Sequence, residues 1–197
     1  MKKRRYNMKA RARQQLETRE RIVDAAVALH EELGPAATTI SALAERAGVQ
    51  RLTVYRHFSG EDEIFRACSA KWFGQHPPPD IRELQQADPV GRPFVILRAL
   101  YRYYRDTRGM WRSLYHDRDR MESLEAPMQG FEEYLQGVAD AILESLAARR
   151  TRRLKATVGH AVRFSTWASL DEQGLRPKAM ATLVSGWIEA AAGQPSR

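Results

Sequence analysis

Cysteine is nearly absent: Cys68 is the single one in 197 residues. One cysteine cannot form an internal disulfide, which excludes a small disulfide-stapled secreted scaffold. No apolar run approaches the ~18 residues of a membrane span. The N-terminus has no apolar segment of the kind a secretory signal needs, so a cytoplasmic chain without membrane association is expected. Strand-like alternation is scarce and no internal repeat is present, which leaves helices as the building material. The five histidines, at 30, 57, 76, 116 and 160, are scattered. No His/Cys/Asp cluster has metal-ligand spacing. A Gly-rich phosphate loop and a Ser-nucleophile motif are also missing. No metal, no cofactor and no catalysis are expected.

Positive charge, by contrast, is abundant and unevenly placed. The net charge is +8 and the pI about 9.9. Residues 1–21 hold nine Lys/Arg against Glu17 and Glu20, which is +7 of that total. The other 176 residues are close to neutral. Such a balance attracts anionic partners without choosing among them.

Gly and Pro cut the chain into helix-sized pieces. Ile22, Ala25, Ala26, Leu29 and Leu33 recur at helical spacing over 18–33, and Gly34-Pro35 stops that helix. Thr38 and Thr39 offer N-cap hydroxyls for a short helix at 40–47. Gly48 ends it, and a second short helix at 50–58 follows at once. Glu61, Asp62 and Glu63 start a helix that runs to about residue 75, where three prolines stop it. Further helices are expected at 90–107, 110–120, 125–149, 151–172 and 177–192. The first ~15 residues and the last five are expected to be disordered.

The pair at 40–58 has the composition of a helix-turn-helix, in which two helices meet through a very short turn. Ala44 lets the second helix approach the first, and Gly48 can take the positive φ of a tight turn. Leu43, Ala47, Val49 and Val54 fill the space beneath. Gln50, Arg51, Thr53, Tyr55, Arg56 and His57 then form an outward face of donors with almost no acid, where a merely solvated helix would mix in Glu and Asp.

The stretch TTISALAERAGVQRLTVYRHFSGEDEIF resembles the DNA-binding signature of the TetR family of transcriptional regulators. The features carried are the Thr before the second helix, the Ala-Gly-Val turn and the TVYRHF that closes the third. The preceding RERIVDAAVALHEELG is similar to the family's first helix. The specific resemblance covers 18–66; beyond it only helix count, order and length agree. Three positions depart from the family's pattern: Glu61 where Lys is usual, Gln50 where Ser is common, and Leu52 where a small residue or Pro is common. These changes alter sequence preference rather than remove DNA binding.

The resemblance implies an all-α chain. A basic arm at 1–17 and a three-helix DNA-binding domain at 18–66 would precede a helical bundle at 67–197 for ligand and dimer. Arg51 and Thr53 are expected to read base edges in the major groove. Gln50 either pairs with adenine or caps its own helix, and Leu52 either touches a thymine methyl or is plain surface. Thr39, Tyr55 and His57 match the family's phosphate contacts. Arg56 is a phosphate clamp or a solvated charge. The basic arm either enters a minor groove, grazes phosphates or is a solubilising tail.

In the second domain a largely apolar pocket with a few polar handles is expected, lined by Tyr104, Trp111, Tyr115, His116, Phe131, Arg163 and Trp167. Phe164, Trp167, Leu170, Leu183, Val184, Trp187 and Ile188 exceed what a small domain can bury alone. The resemblance implies that they form a four-helix homodimer interface. The expected function is a repressor released from a near-palindromic double-stranded operator when a small molecule binds.

Overall fold

A computed structural model describes residues 2–193, with side chains from residue 8 onward. The described residues form helices, turns and loops, with no strand among them. The helices are α1 (Lys2–Leu33), α2 (Ile40–Arg46), α3 (Arg51–His57), α4 (Glu61–Gln75), α5 (Ile81–Leu84), α6 (Arg92–Asp117), α7 (Glu125–Ser145), α8 (Arg152–Ala161), α9 (Phe164–Glu172) and α10 (Pro177–Gly193). No helix among the described residues is long and apolar enough to cross a membrane.

The chain divides into two compact units. The first comprises residues 1–76 and 109–127, so the helix-turn-helix is accompanied by α4 and by the end of α6. The second comprises residues 77–108 and 128–197.

In the first unit α1 packs on α2 and α4, and α2 packs on α3. Ile22, Val23, Ala25, Ala26 and Leu29 form its buried stripe, as the spacing predicts. Trp72 of α4 meets Trp111 edge-on, with centroids 5.6 Å apart, and both are buried. That contact ties residues 109–117 to this unit. Asp117 is also buried, and its Oδ2 accepts from Ala36 N at 2.9 Å.

Two expectations fail here. The first ~15 residues are not disordered, since α1 begins at Lys2. Residues 2–17 contain no Gly or Pro and are rich in Arg, Lys, Ala and Gln, all good helix formers. The packed half of α1 supplies the nucleus, and propagating it outward costs little. The expected end at Gly109 is also absent, because α6 runs through it. A Cβ at Gly109 would lie 2.9 Å from Glu31 Oε1, so the glycine admits a close neighbour rather than ending the helix. The tail expected to be disordered falls at 194–197, outside the described residues.

In the second unit α8 packs on α9 and α10. The single helix expected over 151–172 is broken at Val162–Arg163. The freed carbonyls find side-chain donors. Tyr101 Oη donates to Ala161 O at 2.7 Å, Tyr104 Oη to Val162 O at 2.8 Å, and Thr166 Oγ1 to His160 O at 2.5 Å. Backbone groups released at a helix end must be paired when buried, and three hydroxyls do this here.

Candidate nucleic-acid interface

The helix-turn-helix is assembled from local requirements. Thr39 caps α2, its Oγ1 accepting from Ala42 N at 3.1 Å. The Thr39 hydroxyl is exposed, and its proton stays available to an acceptor. Gly48 sits at φ +63°, the left-handed conformation that the turn demands. Val49 N closes the turn on Ala44 O at 2.9 Å. Val54 and Phe58 are buried and anchor α3 from below.

Polar links hold the three helices in register. Arg46 of α2 makes a two-pronged pair with Glu32 of α1, at 2.9 and 2.6 Å. Arg19 lies 4.4 Å over the Phe58 ring and donates to Glu63 at 3.0 Å. Glu63 also accepts from Ser59 N and Oγ, at 2.9 and 3.0 Å. Those Ser59 bonds, then Arg19, hold the Glu63 carboxyl below the usual carboxylate range. The α3–α4 turn is thereby fastened to α1. Lys71 pairs with Asp24 and fastens α4 to the same helix.

With Val54 and Phe58 inward, Gln50, Arg51, Leu52, Tyr55 and Arg56 point to solvent. Leu52 is 68% exposed and Tyr55 53%, so Tyr55 is not a core aromatic. Gln50 occupies the N-cap position of α3 but makes no side-chain cap bond, so of its two expected roles the cap is not realised. Thr53 and His57 are half-buried on the flank that faces the N-terminal part of α1. Residues 50–57 contain no acid.

Sequence reasoning missed the other wall of that flank. Arg11, Gln14, Gln15 and Thr18 of α1 line a groove with Thr53, Arg56 and His57. Their spacing of i, i+3, i+4 and i+7 was a usable signal once the arm is seen as helix.

The expected pocket residues are divided between the units. Tyr104, Phe131 and Trp167 are buried together in the second, with Tyr104 6.3 Å from Phe131 and 6.1 Å from Trp167 between ring centroids. Arg163 is exposed there and paired with Glu132. Trp111, Tyr115 and His116 belong to the first unit; Trp111 is buried, Tyr115 stacks obliquely on it at 6.1 Å, and His116 is exposed beside Arg120. The expected dimer residues also separate. Phe164, Trp167, Val184 and Ile188 are buried within the single chain, because the chain's own core takes them up. Leu170 is half-buried, and Leu183 and Trp187 are exposed. Among the described residues no group of three His, Cys, Asp or Glu could hold a metal ion.

Residues 22–68 match the model of the bacterial regulatory proteins of the tetR family. The HTH-type transcriptional regulator SrpR of Pseudomonas putida is 43% identical over 61 residues, 31% of this chain and 28% of that protein. The HTH-type transcriptional regulator TtgW, from another strain of Pseudomonas putida, is likewise 43% identical over 61 residues, 31% of this chain and 44% of that protein. Less than half of either relative is therefore matched. Whole-chain likeness comes from solved structures. A TetR-like transcriptional regulator from Rhodococcus sp. RHA1 superposes with a TM-score of 0.65 at 18% identity, over 90% of this chain and 97% of that one. A second regulator from that organism gives 0.60 at 18%, over 88% and 95%. At that identity the likeness concerns the fold alone. Through its helix-turn-helix domain, carried on a TetR-like all-helical fold, the chain belongs to the TetR family of bacterial regulatory proteins.

Proposed function

We propose that the chain is a cytoplasmic, sequence-specific DNA-binding transcriptional regulator rather than an enzyme. It acts as a homodimeric repressor that leaves a near-palindromic operator when a small molecule binds the second unit. The observation that carries the reading is the acid-free ridge of Gln50, Arg51, Leu52, Tyr55 and Arg56, held outward by the buried Val54 and Phe58. Arg51 reads guanine O6/N7, and Gln50, free of capping duty, reads adenine. Thr39, Tyr55, Arg56 and His57 take phosphates and set the register. Leu183 and Trp187 are the exposed apolar residues from which the dimer contact grows. Tyr104, Phe131 and Trp167 border the ligand site.

Selecting bound sites from random duplexes tests this directly. The expected result is one preferred sequence, favoured over arbitrary DNA by a factor on the order of 10³ or more. Arg51→Ala should cost roughly 1–3 kcal/mol at that site and relax one base position. Equal binding by Arg51→Ala and wild type would mean that a different face reads the duplex.

A further inference from the structure

We propose that the N-terminal half of α1 and the flank of α3 form a rigid clasp for one sugar-phosphate strand, outside the base-reading ridge. The proposal rests on the DNA-binding reading above and deepens it. Arg11, Gln14 and Gln15 of α1 form one wall and Thr53, Arg56 and His57 of α3 the other, around a groove of about 680 Å³. The lining contains arginines, amides and hydroxyls but no Asp or Glu. Such a lining suits an anion, and α3 already brings the phosphate backbone to this edge.

Helix dimensions decide which part of a duplex the basic segment can meet. A flexible basic arm could enter the minor groove, about 6 Å wide. An α-helix with side chains is about 10–12 Å across and cannot. Because Lys2–Leu33 is helical throughout, the basic segment must lie against the backbone instead. From Lys2 to Thr18 it extends about 24 Å, at 1.5 Å per residue. That length matches about seven phosphates along one strand, at 3.4 Å each. A helix is already ordered before binding, so the clasp forgoes the entropy loss that a disordered tail would suffer.

Not every cation on α1 belongs to the clasp. Arg13 is paired with Glu17 at 3.5 Å and lies outside the groove lining, while Arg11 lines it. The two arginines are two residues apart on one exposed helix, so exchanging either should leave folding intact.

The test compares Arg11→Ala, Arg11→Lys and Arg13→Ala by the salt dependence of binding to the selected site and to an arbitrary duplex. Arg11→Ala should reduce the slope of log K against log salt by about one and weaken both duplexes by a similar factor, about three- to tenfold. Arg11→Lys should restore the slope, and Arg13→Ala should leave it unchanged. In hydroxyl-radical footprints, the triple variant Arg11→Ala/Gln14→Ala/Gln15→Ala should lose protection only at backbone positions flanking those covered by α3. An unchanged slope and footprint in the triple variant would overturn the clasp while leaving the base-reading ridge standing. Loss of base preference in Arg51→Ala with the flanking protection intact would support both. A wild-type chain that binds no duplex would overturn both.

Discussion

Replacing Gly34 by alanine probes how firmly the loop after α1 is fastened to the end of α6. Gly34 has φ +85°, and a Cβ there would lie 2.7 Å from Asp117 Oδ2. That oxygen is the one that accepts from Ala36 N at 2.9 Å. Asp117 is only 4% exposed, so a displaced carboxylate finds little water to replace the bond. Two costs follow. The left-handed conformation penalises a residue with Cβ by roughly 1–2 kcal/mol. A buried polar group left unpaired costs about 1–3 kcal/mol more. Together they give roughly 2–5 kcal/mol, a fall in melting temperature of about 4–20 °C for a chain of this size.

Gly48→Ala is the comparison, since Gly48 shares the positive φ, at +63°, but its Cβ would meet only Arg21 Nη1 at 3.8 Å. It should lose only the conformational part, about 1–2 kcal/mol. In an Asp117→Ala background the clash disappears, so Gly34→Ala should fall to the same small cost, with a coupling energy of about 1–3 kcal/mol. Urea titrations followed by circular dichroism and tryptophan fluorescence measure all four variants. If Gly34→Ala proves no more costly than Gly48→Ala, the Asp117 bracket does not hold the loop as described.

Two further outcomes are expected. Burial lowers the His30 imidazole from 6.5 to about 4, partly opposed by the nearby Asp117 carboxylate. The unfolded chain therefore binds the extra proton first, so stability is full above pH 6.5 and drains away as pH falls toward 4; His30→Leu should flatten that limb of a pH–stability curve, and an unaltered limb would place its origin elsewhere. Leu183 and Trp187 stand one helical turn apart on α10, 42% and 40% exposed, so Leu183→Glu/Trp187→Glu should convert a dimer to monomer in sedimentation at unchanged helicity and weaken operator binding at least tenfold through lost bivalency; a dimer that persists would place the interface elsewhere.

Local rules were enough for much of this molecule. A glycine was needed at 48 because the turn requires positive φ, and Ile22, Ala26 and Leu29 fell on one face because a helix repeats every 3.6 residues. The donor ridge on α3 was equally legible, since Val54 and Phe58 fix which side is buried and the remaining positions follow by rotation. Tertiary neighbours decided the rest. Gly109 stays inside α6 because Glu31 passes beside it, and the helix at 151–172 breaks because distant Tyr101 and Tyr104 receive its carbonyls. Phe164, Trp167, Val184 and Ile188 carry no mark in the sequence that separates a chain's own core from a partner's, and only the packing assigns them inward. The basic N-terminal stretch showed charge and helix propensity alike; charge alone suggested a loose arm, whereas continuity with a packed helix makes it rigid and sets Arg11 opposite Arg56 across one groove.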